Sequence, residues 1–152
     1  VSLRLANITG PRLAIGPIPT FYKRLKSGQS CFCSDSRRDF LDMEDFFSLM
    51  DKIILSTGRR GVYNVSTGTS HSIKEIFDLV VSHLQLPNQE VPIVAVGDDD
   101  VAEVVLDASE TKIAFDWEHK YQFEDIIKRQ LLWYDDFGVS DVFSHLKPLI
   151  DR

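Results

Sequence analysis

Long apolar runs are missing from this sequence. The longest, Ile53-Ile-Leu55 and Val91-Pro-Ile-Val-Ala-Val96, fall far short of the roughly 18 consecutive apolar residues read as a membrane span, and no basic-then-apolar leader precedes them. The chain is therefore expected to stay out of the membrane, with a cytoplasmic address by default. Positive charge is scarce as well. Seventeen Lys and Arg against 23 Asp and Glu give a formal charge of -6, which argues against a nucleic-acid partner, because a phosphate backbone is held mainly by clustered cations. Cysteine is limited to Cys31 and Cys33, a C-x-C pair with no second pair. On a strand that spacing points both side chains to one face, which suits neither an intrachain disulfide nor a four-ligand zinc site. The four histidines, His71, His83, His119 and His145, lack ligand spacing, so no metal is expected.

What is present describes one ordinary globular domain. The 152 residues are 43% hydrophobic and 26% charged, with ten phenylalanines to fill an interior. No repeat and no low-complexity tract interrupts them.

The pattern along the chain alternates between strand and helix periods. Val1 to Ile8 alternates apolar and polar residues up to the turn at Gly10-Pro11 and reads as a first strand in need of partners. Thr20 is placed to cap a short helix that runs to about Lys26 and stops at Gly28. Ser30 to Cys33 and Arg38 to Leu41 read as short strands. Asp42 caps a helix to about Leu55, with Phe46, Phe47, Leu49, Met50, Ile53 and Ile54 as its expected buried stripe. Gly61 to Ser66 is a further strand. Ser72-Ile-Lys-Glu75 is a capping box opening a helix whose apolar face is Ile73, Ile76, Phe77, Val80, Val81 and Leu84. Pro92 to Val96 and Val101 to Leu106 read as strands, followed by helices from Asp107-Ala-Ser109, over Phe123 to Tyr134, and over about Asp141 to Ile150. The fold class is mixed α/β.

One pair of residues invites a catalytic reading. Tyr22 and Lys26 lie one helical turn apart, and a lysine so placed can lower the pKa of a phenol. The competing reading is an ordinary helix with Phe21 and Leu25 inward and the basic residues in solvent.

Five segments in order decide between them. Arg4-Leu-Ala-Asn7 with Gly10-Pro11 follows R-x-x-N-x-x-G-P, and Arg38-Asp-Phe-Leu-Asp-Met-Glu-Asp45 resembles R-D-[FY]-x-x-V-x-D. Val62-Tyr-Asn-Val65 with Gly68 follows V-Y-N-[IV]-x-x-G, and His71-Ser-Ile-Lys-Glu75 follows the helix start after it. Asp107-Ala-Ser109, Phe115-Asp-Trp117 and Trp133-Tyr134 resemble D-x-S-[KR], [LF]-G-W and W-Y. Over nearly its whole length the chain thus resembles the C-terminal half of the extended short-chain dehydrogenase/reductases, the NAD-dependent nucleotide-sugar epimerases and dehydratases. The resemblance implies that residues 1-152 are a single substrate-binding lobe, that the first strand belongs to a Rossmann sheet, and that the dinucleotide-binding half lies outside this chain. The family's Tyr-x-x-x-Lys precedes its R-x-x-N strand, whereas Tyr22 and Lys26 follow it, so no catalytic residue is expected here. The glycine-rich turn that cradles a dinucleotide pyrophosphate is absent too, so NAD is expected on the other half.

The same resemblance implies the site. Arg38 matches the arginine that contacts the substrate diphosphate, a task suited to a planar guanidinium fork; the alternative is a surface arginine paired with Asp39 or Asp42. Asn7 matches the asparagine that reaches phosphate or sugar, against a strand-end asparagine bonding the turn at Gly10. Gly16 and Pro17 fall in the loop over the nucleotide. Cys31, Phe32 and Cys33 match the strand whose backbone lies beside the base. Tyr63 and Asn64 are expected to be structural. A second diphosphate arginine of the family pattern R-x-G-[DH] is replaced by Ala95-Val-Gly-Asp98, with Arg37, Arg12 or Arg60 as possible substitutes. The partner implied is a nucleoside-diphosphate sugar, for a homodimeric whole protein in surface-polysaccharide synthesis. Two other readings stay open: a non-catalytic binding or interaction module, and a reductase of a small non-nucleotide substrate.

Overall fold

A computed structural model of the chain describes residues 1-97 and 100-139. The last helix expected from the sequence, Asp141 to Ile150, lies outside them, as does Asp98.

The first strand is two strands. β1 (Ser2–Leu5) pairs parallel with β6 (Val62–Val65), in register from Ser2 with Val62 to Leu5 with Val65. After Ala6 the chain changes partner, and β2 (Asn7–Thr9) pairs parallel with β5 (Phe40–Asp42). Consecutive amides mark the change: Ala6 donates to the Val65 carbonyl at 2.9 Å and Asn7 to the Asp39 carbonyl at 3.1 Å. The remaining strands are two-residue pairings. β3 (Cys33–Ser34) lies parallel to β8 (Ile93–Val94), while β4 (Arg37–Arg38) sits between antiparallel β7 (His71–Ser72) and parallel β9 (Glu103–Val104).

Helix α1 (Pro17–Lys26) begins four residues earlier than a Thr20 cap predicts. Pro17 at the first position has φ preset for a helix and lacks only an N–H that would have no intrahelical partner. Gly16 precedes it at φ 96°, a left-handed conformation that favours glycine. The Thr20 hydroxyl donates back to the Gly16 carbonyl at 2.8 Å from inside the helix, so it caps nothing. Local capping elsewhere follows the sequence. Asp42 accepts from the Glu44 amide at 2.8 Å to open α2 (Met43–Leu55), and Ser72 and Glu75 close a reciprocal capping box at the start of α3 (Ile73–His83). α4 (Ser109–Phe115) and α5 (Phe123–Phe137) complete the set.

Two apolar clusters hold these elements. α1, α3 and α5 meet through Phe21, Leu25, Phe77, Val80, Ile127 and Leu131, with Cys33 and Phe40 closing one side. Burying each such large side chain contributes about 1.5–3 kcal/mol. The second cluster packs Leu49 of α2 against Leu41, Tyr63, Val65, Phe115 and Trp117. The stripe expected on α2 is narrower than the sequence implied: Leu49 is fully buried, but Phe47 is 54% and Ile54 73% exposed. Here apolar spacing overstates burial, because the helix covers only the small second cluster.

Candidate functional site

The partner change at Ala6, the loop into α1 and strand β4 together surround a cleft of about 460 Å³. Its walls include Asn7 at the start of β2, Gly16 and Pro17 at the start of α1, Arg38 of β4, and Leu13, Ile15 and Ile73. Four of the seven residues singled out in the sequence therefore share one cavity. At the mouth of α1 no side chain caps the first turn and no acidic residue occupies it. Such a helix end favours an anion through its dipole, with Ile18 the one N–H donor among its first three positions because Pro17 and Pro19 have none.

Arg38 supplies the cation. Its side chain is 21% exposed, and Nη2 lies 3.2 Å from Asp100 Oδ1 while Nη1 donates to the carbonyls of Arg37 (2.9 Å) and Ala102 (3.3 Å). Neither carboxylate weighed as its partner is used. Asp39 turns away to accept from the Thr67 amide (3.1 Å), the Thr67 hydroxyl (2.7 Å) and the Gly68 amide (2.8 Å). Asp42 caps α2 and pairs with Arg129 at 3.3 Å. Asn7 bonds the Asp39 carbonyl at 3.2 Å through Nδ2 and not the turn at Gly10.

The three possible substitutes for the second arginine separate by position. Arg37 points off the opposite face of β4, where its guanidinium bonds Ser70 Oγ (3.0 Å) and the Ser70 carbonyl (2.7 Å) near Glu75 and Glu103. Arg60 precedes β6 at the far end of the β1–β6 register, about 20 Å from the level of Asn7 at roughly 3.3 Å per residue. Arg12 lies in the loop that also supplies Leu13, Ile15 and Gly16 to the cleft; it is exposed, with φ 70°.

Sequence reasoning missed what holds that loop. From α5, Gln130 and Tyr134 donate to the Leu13 carbonyl, and Thr9 donates to Gln130 Oε1 at 2.6 Å. Gln130 is fully buried, and burial pushes the Tyr134 phenol up to about 12. These residues are positioners of the cleft wall. A buried glutamine inside an otherwise amphipathic helix was the only signal available for them.

Cys31, Phe32 and Cys33 sit elsewhere. Cys31 and Phe32 border a second hollow of about 380 Å³ with Arg24, Phe77 and Pro92, whereas Cys33 is buried in the main core. The Cys33 amide is taken by the Pro92 carbonyl (2.9 Å) and that of Asp35 by Val94 (2.8 Å), so strand alternation leaves the Phe32 and Ser34 amides facing the other way. Both thiols are free, and burial raises both pKa values, Cys33 to about 11. Neither is a ready nucleophile.

Tyr22 is buried, donates to Asp135 Oδ1 (2.7 Å) and accepts from Lys26 Nζ (2.9 Å). Burial raises its pKa, the reverse of what a general base needs. Phe21 and Leu25 are inward as expected, but Tyr22 joins them as a clamp between α1 and α5. Tyr63 and Asn64 bond the Arg60 and Asp107 carbonyls, both structural tasks.

A sequence profile of the GDP-mannose 4,6 dehydratase family matches residues 1–130. The chain belongs to that family. Among solved structures similar to this family member is the Bordetella bronchiseptica enzyme WbmG in complex with NAD and UDP, 59% identical, with a TM-score of 0.88 over 96% of this chain and 47% of the other. WbmH of the same organism, solved with NAD+, is 34% identical, with a TM-score of 0.81 over 90% of this chain and 46% of the other. A CDP-abequose synthase of Salmonella muenchen is 29% identical over 138 residues, 86% of this chain and 46% of the relative. The chain thus spans about half the length of the relatives it matches. Its mixed α/β fold is that of the extended epimerases and dehydratases.

Proposed function

We propose that this chain is the substrate-binding lobe, the C-terminal half, of an NAD-dependent nucleotide-sugar epimerase or dehydratase serving surface-polysaccharide synthesis. The observation that carries the reading is the cleft in which Asn7, Gly16, Pro17 and Arg38 converge beside an uncapped helix start. A diphosphate needs fixed positive charge, which Arg38 offers, and the positive end of the α1 dipole with the Ile18 N–H adds to it. Similarity to a protein solved with NAD and UDP supports the ligand class, and similarity to a CDP-abequose synthase supports the biosynthetic setting.

NAD does not fit the residues described. Among them no strand enters a helix through a glycine-rich turn, and the first turns of α2 and α3 are already filled by Asp42 and by Ser72 with Glu75. The cofactor is therefore assigned to the other half. In this lobe Arg38 holds the diphosphate, Asn7 donates to phosphate or sugar, and Arg12 is the substitute best placed to add a second positive charge. The free backbone edge at Phe32 and Ser34, beside Cys31 and Cys33, reads the base. Fixing the substrate in this way lowers the entropic part of a barrier without any acid or base on the lobe. The whole protein is read as a cytoplasmic homodimer; among the described residues no helix is long and apolar enough to cross a membrane.

Titration with UDP tests the reading. Binding that weakens in Arg38→Ala supports it, and equal binding refutes it. The chain alone is expected to show no turnover when nucleotide sugars and NAD are added; turnover would refute the assignment of chemistry to the other half. Arg38 is the one arginine of β4 that lines the cleft, and this, with Ala95 where the family pattern has a second, favours a binding module as the second reading. Turnover by the full gene product rejects that module.

A further inference from the structure

Resting on the reading of the cleft as a diphosphate site, we infer that Asp100 is a built-in competitor for Arg38 that sets the affinity for the substrate diphosphate. Three carboxylates of the described residues lie within reach of Arg38 by sequence or fold. Asp39 is committed to Thr67 and Gly68, and Asp42 to α2 and Arg129. Among the described residues Asp100 alone faces the guanidinium, with Oδ1 at 3.2 Å from Nη2, and the same oxygen accepts from the Val101 amide at 2.8 Å.

A guanidinium offers five N–H donors in a fixed plane. Nη1 is occupied by the Arg37 and Ala102 carbonyls, and Nη2 by Asp100. The carbonyls are neutral and orient the fork. Asp100 differs because it brings a negative charge to the guanidinium itself. Nη2 has a second N–H and Nε a further one, neither used among the described residues, so a phosphate can bind beside the carboxylate, and the two anions sharing one guanidinium repel. The side chain of Asp100 is 59% exposed, so it can leave for water when an anion arrives, at the modest cost typical of an exposed ion pair. The contact lowers affinity for any diphosphate and favours ligands whose other groups compensate, which makes Asp100 a specificity-determining residue.

The test is isothermal titration of the full gene product with UDP, uridine and inorganic pyrophosphate. Asp100→Asn keeps the side-chain shape and removes the charge. It is expected to tighten UDP and pyrophosphate about two- to fivefold, the range of an exposed ion pair. Uridine should be unaffected, and the gain should vanish in Arg38→Ala. Weaker or unchanged UDP binding in Asp100→Asn, with Arg38→Ala still weakening it, overturns the competitor and makes Asp100 an orienting or idle residue while the cleft reading stands. A protein that binds no UDP, or an Arg38→Ala variant that binds it as well as wild type, overturns both.

Discussion

Replacing Asp39 by alanine should destabilise the fold more than any change at the exposed residues of the cleft. The carboxylate is 1% exposed and accepts three hydrogen bonds from Thr67 and Gly68, tying the segment after β6 to the start of β5. Hydrogen bonds to a charged group contribute about 1.5–3 kcal/mol each, so a simple sum would exceed 4 kcal/mol. That sum is too large, because Gly68 is exposed and Thr67 half-buried, and both regain water once the carboxylate is gone. A net loss of about 2–4 kcal/mol follows, on the order of 5–12 °C in Tm for a chain of this size. Asp39→Asn keeps one acceptor but sets an amide NH2 against N–H donors, and should cost about 1–2 kcal/mol. Thermal unfolding followed by circular dichroism reads both. A fall below about 2 °C for Asp39→Ala would refute the claim that this carboxylate braces the two strands.

Arg38→Ala should weaken UDP binding roughly ten- to a hundredfold in calorimetry, the loss of one charge-assisted contact. Thiol titration at pH 8 should label Cys31 before buried Cys33, whose pKa near 11 leaves it protonated; equal rates would contradict the packing. The Tyr22 hydrogen bond chiefly, with His83 2.7 Å from its other oxygen, holds the Asp135 pKa below its usual 3.8. Its stabilising contribution is present above pH 4 and lost as pH falls through the lower folded value, so Asp135→Asn should reduce stability at pH 6 and converge with wild type near pH 2. Phenolate absorbance should show Tyr134 titrating last, near pH 12, with any stability it gives declining between about pH 10 and 12.

Local chemistry made much of this fold legible. Asp42 and the Ser72–Glu75 box act within four residues, so the sequence displays both partners of each cap. The apolar face of α3 was equally plain, since Ile73, Ile76, Phe77, Val80 and Val81 are all buried. What stayed hidden depends on residues far apart in the chain. Whether Phe47 and Ile54 face a core is decided by how wide the second cluster is, not by their spacing. The partner change at Ala6 needs β5 and β6, more than 30 residues on, and the Gln130 to Leu13 bond spans 117 positions. At the cleft, motif resemblance pointed to Arg38 and Asn7, but the side-chain partners proposed for them were sequence neighbours. Folding had assigned those neighbours elsewhere and brought Asp100 across from 62 residues away.

The handover at Ala6 has a bearing on how this segment tolerates change. Two registers, Ser2–Leu5 on β6 and Asn7–Thr9 on β5, are coupled through one residue. Because side chains alternate with period two, an insertion or deletion there cannot be absorbed by sliding one pairing without inverting the faces of the other. Length variation among homologues should therefore avoid this joint and collect in exposed turns such as Thr57 to Arg60, where an added residue shifts neither register.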